Sequence, residues 1–432
     1  MHQSIWSDSI KLPHYRKLKG DIKTDVLIIG GGLCGLLCAY YLKKEGIDCV
    51  VVEGSKIASG TTKNTTAKIT SQHGLIYSEL LKNKGVEYAK LYLEANQKAL
   101  YEYEKLCKNI DCDFETKNSY IYSVKDREKI EDEMNALLKI GLQATFKEEI
   151  ELPINIEGAI CFENQSQFNP LKFISHIVKN LEIYEDTFVK EITSEKAITD
   201  SGTIKAKSII VTTHFPFINK HGSYFLKLYQ ERSYVAAYKN AKVLNGMYLD
   251  ESKNGFSFRS YNDILLIGAG NHRTGKESRG WQPIYEFAKR NYPKSRLLYE
   301  WATQDCMSLD NIPYIGKYSK NTKNLYVATG FNKWGMTSSM LSAMMLKDMI
   351  KGKNNEFENI FSPERSILKS QLLINTFETL SNFLAPRAKR CPHLGCSLKW
   401  NKNEHTWDCP CHGSRFESDG KLIDNPSTKD LK

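Results

Sequence analysis

The chain has 432 residues, 41% of them hydrophobic and 25% charged, with a formal net charge of +10. That length accommodates two or three domains with full cores. With no run of about 18 apolar residues and no charged-then-apolar leader, the expectation is a cytoplasmic protein without a transmembrane segment. Basic residues alternate with acids, as in Lys125-Asp126-Arg127-Glu128-Lys129, which describes a solvated surface rather than the basic stripe that nucleic acid needs.

In chain order, Asp25-Val-Leu-Ile-Ile29 predicts a buried parallel strand. It feeds Gly30-Gly31-Gly32-Leu33-Cys34-Gly35, then a helix from Leu36 to Lys44 and a second strand, Cys49 to Glu53. Gly30, Gly32 and Gly35 let the backbone approach a pyrophosphate, the helix N-terminus carries partial positive charge towards it, and Glu53 receives ribose hydroxyls. This fingerprint does not distinguish FAD from NAD. Cys34, Cys38 and Cys49 lie in apolar stretches and read as reduced core thiols. A hydroxyl-rich loop from Gly60 to Lys68 follows. Residues 77–110 predict one packed helix, and another begins near Asn169-Pro170. Thr187-Phe-Val189, Ser208–Thr212, Tyr234–Tyr238, Phe256–Arg259 and Ile264–Ile267 read as strands.

The Gly60–Lys68 loop, the Trp301–Asp305 and Pro313–Gly316 segments, and Asn324–Gly330 followed by Trp334-Gly335-Met336-Thr337 resemble FAD enzymes of the D-amino-acid and glycine oxidase family. The resemblance implies an α/β fold: a discontinuous Rossmann-like FAD-binding domain of the GR2 type (1–75, 150–215 and 300–360) and an antiparallel-sheet substrate domain (76–149 and 216–299) roofing the flavin. It implies FAD contacts at Gly30, Gly32, Gly35, Glu53, Thr61, Thr62, Val189, Gly330, Gly335 and Met336, and a small amine or amino acid as substrate. Lys68, Gln72 and His73 could then face the flavin. Arg259 could clasp a substrate carboxylate through its bidentate fork or simply sit on a sheet edge. Lys68, His73 and Arg259 are the catalytic candidates.

After a polar linker at 351–355 and a helix from Ser366 to Leu384 come Cys391-Pro-His393-Leu-Gly-Cys396 and Cys409-Pro-Cys411-His412-Gly-Ser414. Each mixed Cys-His pair can give its thiolate to one iron and its imidazole to the other iron of a [2Fe-2S] centre; zinc, which also accepts two Cys and two His, is the rival. Cys396 and Cys411, one per loop, could form a disulfide. The segment resembles the cluster-binding part of Rieske proteins, which implies Cys391, His393, Cys409 and His412 as ligands, Cys396 with Cys411 as a bridge, and Ser414 bonding a cluster sulfur. Phe416 replaces the Tyr of high-potential members.

A helical linker (361–386) and a minimal β/loop Rieske unit (387–432) complete the expected architecture. So small a unit rarely folds on its own core, so it must rely on cluster and disulfide or lie against the flavin domain. The expected function is an FAD-dependent dehydrogenase whose electrons leave through the cluster to a one-electron acceptor protein or quinone. The alternatives are an electron-transfer protein without its own organic substrate, or a flavoprotein with structural zinc.

Overall fold

Ile22–Ile29 ends in four buried apolar residues because it runs inside a sheet covered on both faces. In the computed structural model, which describes residues 3–193, 195–218, 221–385 and 389–431, it lies within an eight-stranded sheet. Thr203–Val211 and Cys49–Val52 flank it in parallel. Leu325–Thr329 and Glu182–Tyr184 extend the parallel set, and Tyr314–Lys317 closes one edge antiparallel. Helices Leu33–Lys44 and Gly335–Ile350 pack against each other on this sheet, and Val86–Cys107 lies on the second of them. The helix expected over 77–110 is broken at Gly85, whose φ of 89° is left-handed. The pieces are Ile76–Lys84 and Val86–Cys107.

The second sheet has nine strands, antiparallel except where Glu115–Ser123 runs parallel to Gly246–Asp250. Two expected boundaries move here. Gly158–Gln167, placed by the sequence in the FAD-binding segment 150–215, pairs with Glu115–Ser123 in the second sheet. Arg296–Ser308 pairs along its length with Leu228–Lys239 and crosses the boundary expected at 300. In both cases the ladder, interrupted by one register shift, continues to pair backbone groups past the point where the apolar pattern changes.

A third sheet, four strands from Lys399–Asn401 to Leu422–Asp424, carries the C-terminal loops. Its own core is only Cys391, Cys396, Leu398, Cys409, Cys411 and Phe416 with a few flanking side chains. The boundary expected between 386 and 387 lies outside the described residues. No described helix is long and apolar enough to cross a membrane.

The small sheet is seated against the second sheet. Arg232, on Leu228–Lys239, donates from Nε to Glu404 Oε1 at 3.0 Å, and its Nη2 pairs with Glu404 as well. Arg415 reaches Glu404 (2.9 Å), Asp408 (3.0 Å) and Asp424 (3.1 Å). Arg273 donates to the Pro410 and Cys411 carbonyls, and Asn425 Nδ2 donates to the Phe215 carbonyl. Burial alone would raise the Glu404 carboxyl, but the Arg232 and Arg415 guanidiniums outweigh it and hold the group below its usual range.

Removing one partner of such a buried set costs roughly 3–5 kcal/mol. Glu404→Gln is therefore expected to lower the denaturant midpoint of the C-terminal unit; an unchanged unfolding curve would sink the assignment. Because the Glu404 pKa is depressed on folding, its contribution is complete above about pH 4.3 and is lost as pH falls through the lower folded value. Wild-type stability should fall with acid more steeply than that of Glu404→Gln.

Candidate functional site

The glycine turn is fixed by contact. A Cβ on Gly35 would lie 2.0 Å from the Gly30 carbonyl oxygen, and one on Gly31 would lie 2.9 Å from Glu53 Cβ. Helix Leu33–Lys44 thus starts hard against the strand ends, and its N-cap, Gly32, offers no side-chain acceptor. Thr62 Oγ1 accepts from the Leu33 N–H at 3.1 Å, and Glu53 accepts from the N–H groups of Gly31 and Ser55. This turn opens onto a cleft of about 1180 Å³, beyond the roughly 300–1,000 Å³ usual for a drug-sized ligand and so large enough for a dinucleotide. All the expected FAD contacts except Gly35, which is a packing glycine, line it.

Three side chains staple the loop after Gly60 through its carbonyls. Trp301 Nε1 donates to Asn64 (2.8 Å), Trp6 Nε1 to Thr65 (2.7 Å), and Arg259 Nη1 to Thr66 (2.7 Å) and Ala67 (3.0 Å). The restraint holds Ala67 at a left-handed φ of 55°. Arg259 is 1% exposed, lies over the Trp6 ring, and is absent from the cleft wall. Its Nη1 is spent on the loop and its Nε on the Ser260 carbonyl, so the fork is not presented to the cleft.

The other two catalytic candidates separate. Lys68 lines the cleft and donates to the Tyr248 carbonyl (2.8 Å) and Ser257 Oγ (2.7 Å). Burial first, then the Arg259 charge, lowers its pKa to about 7. His73 lies behind the wall, between Tyr92 Oη (2.7 Å) and the Thr70 carbonyl (2.8 Å) and stacked on Trp334 at 4.7 Å. Burial lowers its pKa to about 3, so it is neutral. Gln72, also buried, donates to the Ile160 carbonyl.

Sequence reasoning missed two cleft features. Asn332 and Lys333 are consecutive left-handed residues (φ 50° and 72°) just before the uncapped helix Gly335–Ile350. Asn332 is pinned by Ser308 and the Gly330 carbonyl. An Asn two residues after a strand-ending glycine was the available signal. His214 follows strand Thr203–Val211, at the carboxyl end where parallel sheets bind ligands; its Nε2 meets Gln230 Oε1 at 2.7 Å.

The two cluster loops share one turn. Gly395 N–H bonds the Cys391 carbonyl and Gly413 N–H the Cys409 carbonyl, each at 2.9 Å, with both glycines left-handed (φ 77° and 83°). A Cys396–Cys411 disulfide joins them. The His393 and His412 rings stand 5.0 Å apart and nearly perpendicular. Burial lowers their pKa values to about 4 and about 3, leaving neutral imidazoles with lone pairs to donate. His412 Nδ1 is buried without a hydrogen-bond partner while the ring bonds the Phe225 backbone, as a metal-donating nitrogen would be. The Cys391 and Cys409 thiols hydrogen-bond each other, which lowers the first to about 7 and raises the second. The sulfurs of Cys396, Cys409 and Cys411 also cluster, but two of them are consumed by the disulfide, which leaves Cys391, His393, Cys409 and His412 as the residues that could hold a metal. Ser414 bonds the Cys391 sulfur and accepts from Ser427 N–H. Phe416 is fully buried among the four cysteines.

Cleft and cluster loops meet at Gln304. Its carbonyl accepts from Thr61 Oγ1 (3.2 Å), and its Nε2 donates to the Gly413 carbonyl (2.9 Å). The cleft also runs on to the C-terminal unit, whose Glu404, Arg415 and Leu422–Asn425 form part of its wall.

Comparison with known proteins agrees with both halves. The FAD dependent oxidoreductase family profile matches residues 25–349, and the Rieske [2Fe-2S] domain profile matches 364–432. The second match takes in most of the expected linker, so helix Ser370–Leu384 falls within the Rieske match. A putative Rieske 2Fe-2S iron-sulfur protein (YhfW) of Bacillus subtilis strain 168 is 34% identical over the whole chain and 97% of its own length. The cytochrome b6-f complex iron-sulfur subunit 1 of a Synechocystis species is 48% identical over 42 residues, 10% of this chain and 24% of that subunit. In fold, L-proline dehydrogenase from P. horikoshii (TM-score 0.67, 17% identity) aligns with 81% of this chain and 98% of its own. Glycine oxidase from Geobacillus kaustophilus (TM-score 0.67, 19% identity) aligns with 80% and 99%. The cofactors are accordingly FAD and a Rieske [2Fe-2S] cluster, which leaves structural zinc without support.

Two variants test the site. Arg259→Met leaves loop carbonyls unsatisfied at about 1–3 kcal/mol, so FAD affinity of the apoprotein, read by flavin fluorescence, should fall about tenfold; unchanged affinity would refute the stapling role. Phe416→Tyr adds a donor beside the cysteines. A hydrogen bond of about 1 kcal/mol corresponds to roughly 40 mV for a one-electron couple, so a redox titration should show the cluster potential rising by that order.

Proposed function

The chain belongs to the FAD dependent oxidoreductase family and carries a C-terminal Rieske [2Fe-2S] domain, and from that premise we propose that it is a dehydrogenase. It oxidises a small amine or amino acid, a CH-NH or CH-NH2 donor, in the cleft and delivers the electrons singly through the cluster to an acceptor protein or quinone. When bound, FAD accepts two electrons and the cluster carries one, so the pair converts two-electron chemistry into one-electron output. The carrying observation is the Gln304 bridge: one residue ties the wall of the FAD cleft, through its backbone carbonyl, to the cluster loop, through its side chain.

This chain's residues divide the remaining work. The stapled Gly60–Lys68 loop and the pinned Asn332–Lys333 turn hold the cofactor-facing backbone in place. Lys68, with a pKa near 7 and a place on the cleft wall, is suited to hold or release a proton at a substrate amine. The amino-acid dehydrogenase and oxidase among proteins of the same fold accord with that substrate class. Seven buried free thiols outside the ligand set accord with a reducing, cytoplasmic setting.

The test is an anaerobic absorbance titration with candidate amines. Flavin bleaching followed by loss of the cluster bands is expected; bleaching by no amine would favour a carrier without its own substrate. Gln304→Leu should slow cluster reduction about tenfold or more while flavin reduction is unchanged. As Lys68 loses its proton, kcat/KM should rise through about pH 7, and that limb should vanish in Lys68→Arg.

A further inference from the structure

Helix Ser370–Leu384 is amphipathic in the inverted sense. Its inward face is polar: Asn375 Oδ1 accepts from Arg273 Nη1 (2.8 Å), Glu378 pairs with Lys276 (2.8 Å), and the Asn382 carbonyl accepts from Ser397 N–H (2.9 Å). Its outward face is Leu373, Ile374, Phe377, Leu380, Phe383 and Leu384, from 51% to 75% exposed. With Leu368, this short stretch holds seven of the fifteen large apolar side chains exposed among the described residues. The remainder are scattered, as on any soluble surface. A helix that turns six large apolar groups outward is built to cover something.

We propose that this face docks on an anionic membrane surface, the helix lying in the plane of the interface. Charge selects that occupant. The sole acid on the helix is spent on Lys276, whereas Lys369 precedes its first residue and the exposed Lys389 and Arg390 follow its end. An apolar stripe with cations at both ends is the pattern of an interfacial helix, and the chain's +10 charge has the same sign. A second copy fits poorly. Two-fold pairing of an isologous face sets Lys369 against Lys389 and Arg390 if the helices run antiparallel, and each cation against its own copy if they run parallel, so like charges meet either way. The surface is continuous with the cluster unit: the Phe383 ring reaches Gly395, beside the half-exposed Leu394 of the ligand loop. Docking therefore holds that loop at the membrane face, whatever the substrate.

The experiment is co-sedimentation of the purified holoprotein with vesicles of phosphatidylcholine alone or mixed with phosphatidylglycerol, beside the variant Leu373→Gln/Phe377→Gln/Leu380→Gln. None of these three side chains makes an inward polar contact, and retained flavin and cluster absorbance verify the fold. Wild type should partition onto the anionic vesicles, less at high salt and less onto phosphatidylcholine alone, with the triple variant reduced about tenfold or more. Lys369→Glu should weaken only the anionic component. No partitioning by wild type, or equal partitioning by wild type and triple variant, overturns the proposal. So does a wild-type dimer in sedimentation velocity that the triple variant converts to monomer.

Discussion

Two guanidiniums and two carboxylates buried at one seam, with Asp424 at its edge, decide how the rest of this molecule can work. Buried ions return their desolvation cost only when every donor finds a partner. Here Arg232 meets Glu404 with both Nε and Nη2, and Arg415 is divided among Glu404, Asp408, Asp424 and the Thr406 hydroxyl. Displacing the C-terminal unit sideways would strand the buried Arg232 and leave Glu404 with Arg415 alone. The seam is therefore specific in position, as an apolar contact of the same area would not be. A unit whose own core is little more than four cysteines, a leucine and a phenylalanine needs that specificity, because its sheet alone cannot set where the ligand loops point.

Arg296–Ser308 converts the fixed position into a connection. Successive side chains on a strand leave opposite faces, so Trp301 and Gln304 diverge. Trp301 goes to the Asn64 carbonyl of the FAD loop, and Gln304 goes to the Gly413 carbonyl of the cluster loop. Further along, Ser308 holds Asn332 and with it the strained turn before helix Gly335–Ile350. One strand thus sets the geometry of three cofactor-facing loops, and a register slip of one residue would exchange its faces and uncouple them.

The parts of this arrangement that depend on local spacing were legible in the sequence. Asp25 to Glu53 is a strand, turn, helix and strand whose chemistry is complete within about thirty residues, and the cluster loops each close on themselves through one glycine. What depends on partners distant in sequence was not. Arg259 reads as a substrate clasp in isolation, yet its partners lie almost two hundred residues earlier, at Thr66 and Ala67. His73 follows the FAD loop but is turned away by Tyr92. The strand Gly158–Gln167 looks like part of the flavin segment because its partner, Glu115–Ser123, lies beyond an intervening helix. The helical period of 370–384 was visible, but which face it would bury was not, since that depends on Arg273, Lys276 and Ser397 waiting on the other side.

The two ligand loops also impose a direction. They have the same hydrogen-bonded turn, yet their surroundings differ. Cys409 to Ser414 is buried throughout, whereas Pro392 and Leu394 of the first loop reach the surface. The buried loop faces the flavin half: His412 lies against Phe215 and Phe225, and Gly413 carries the bond from Gln304. Electron tunnelling favours the shortest bonded route, so on the dehydrogenase reading entry is through the second loop. An external acceptor can approach closely only at the first. The disulfide between Cys396 and Cys411 ties the two loops into one body, so neither end can move without the other. Two turns alike in themselves thus present one buried and one exposed face, set by what each is packed against.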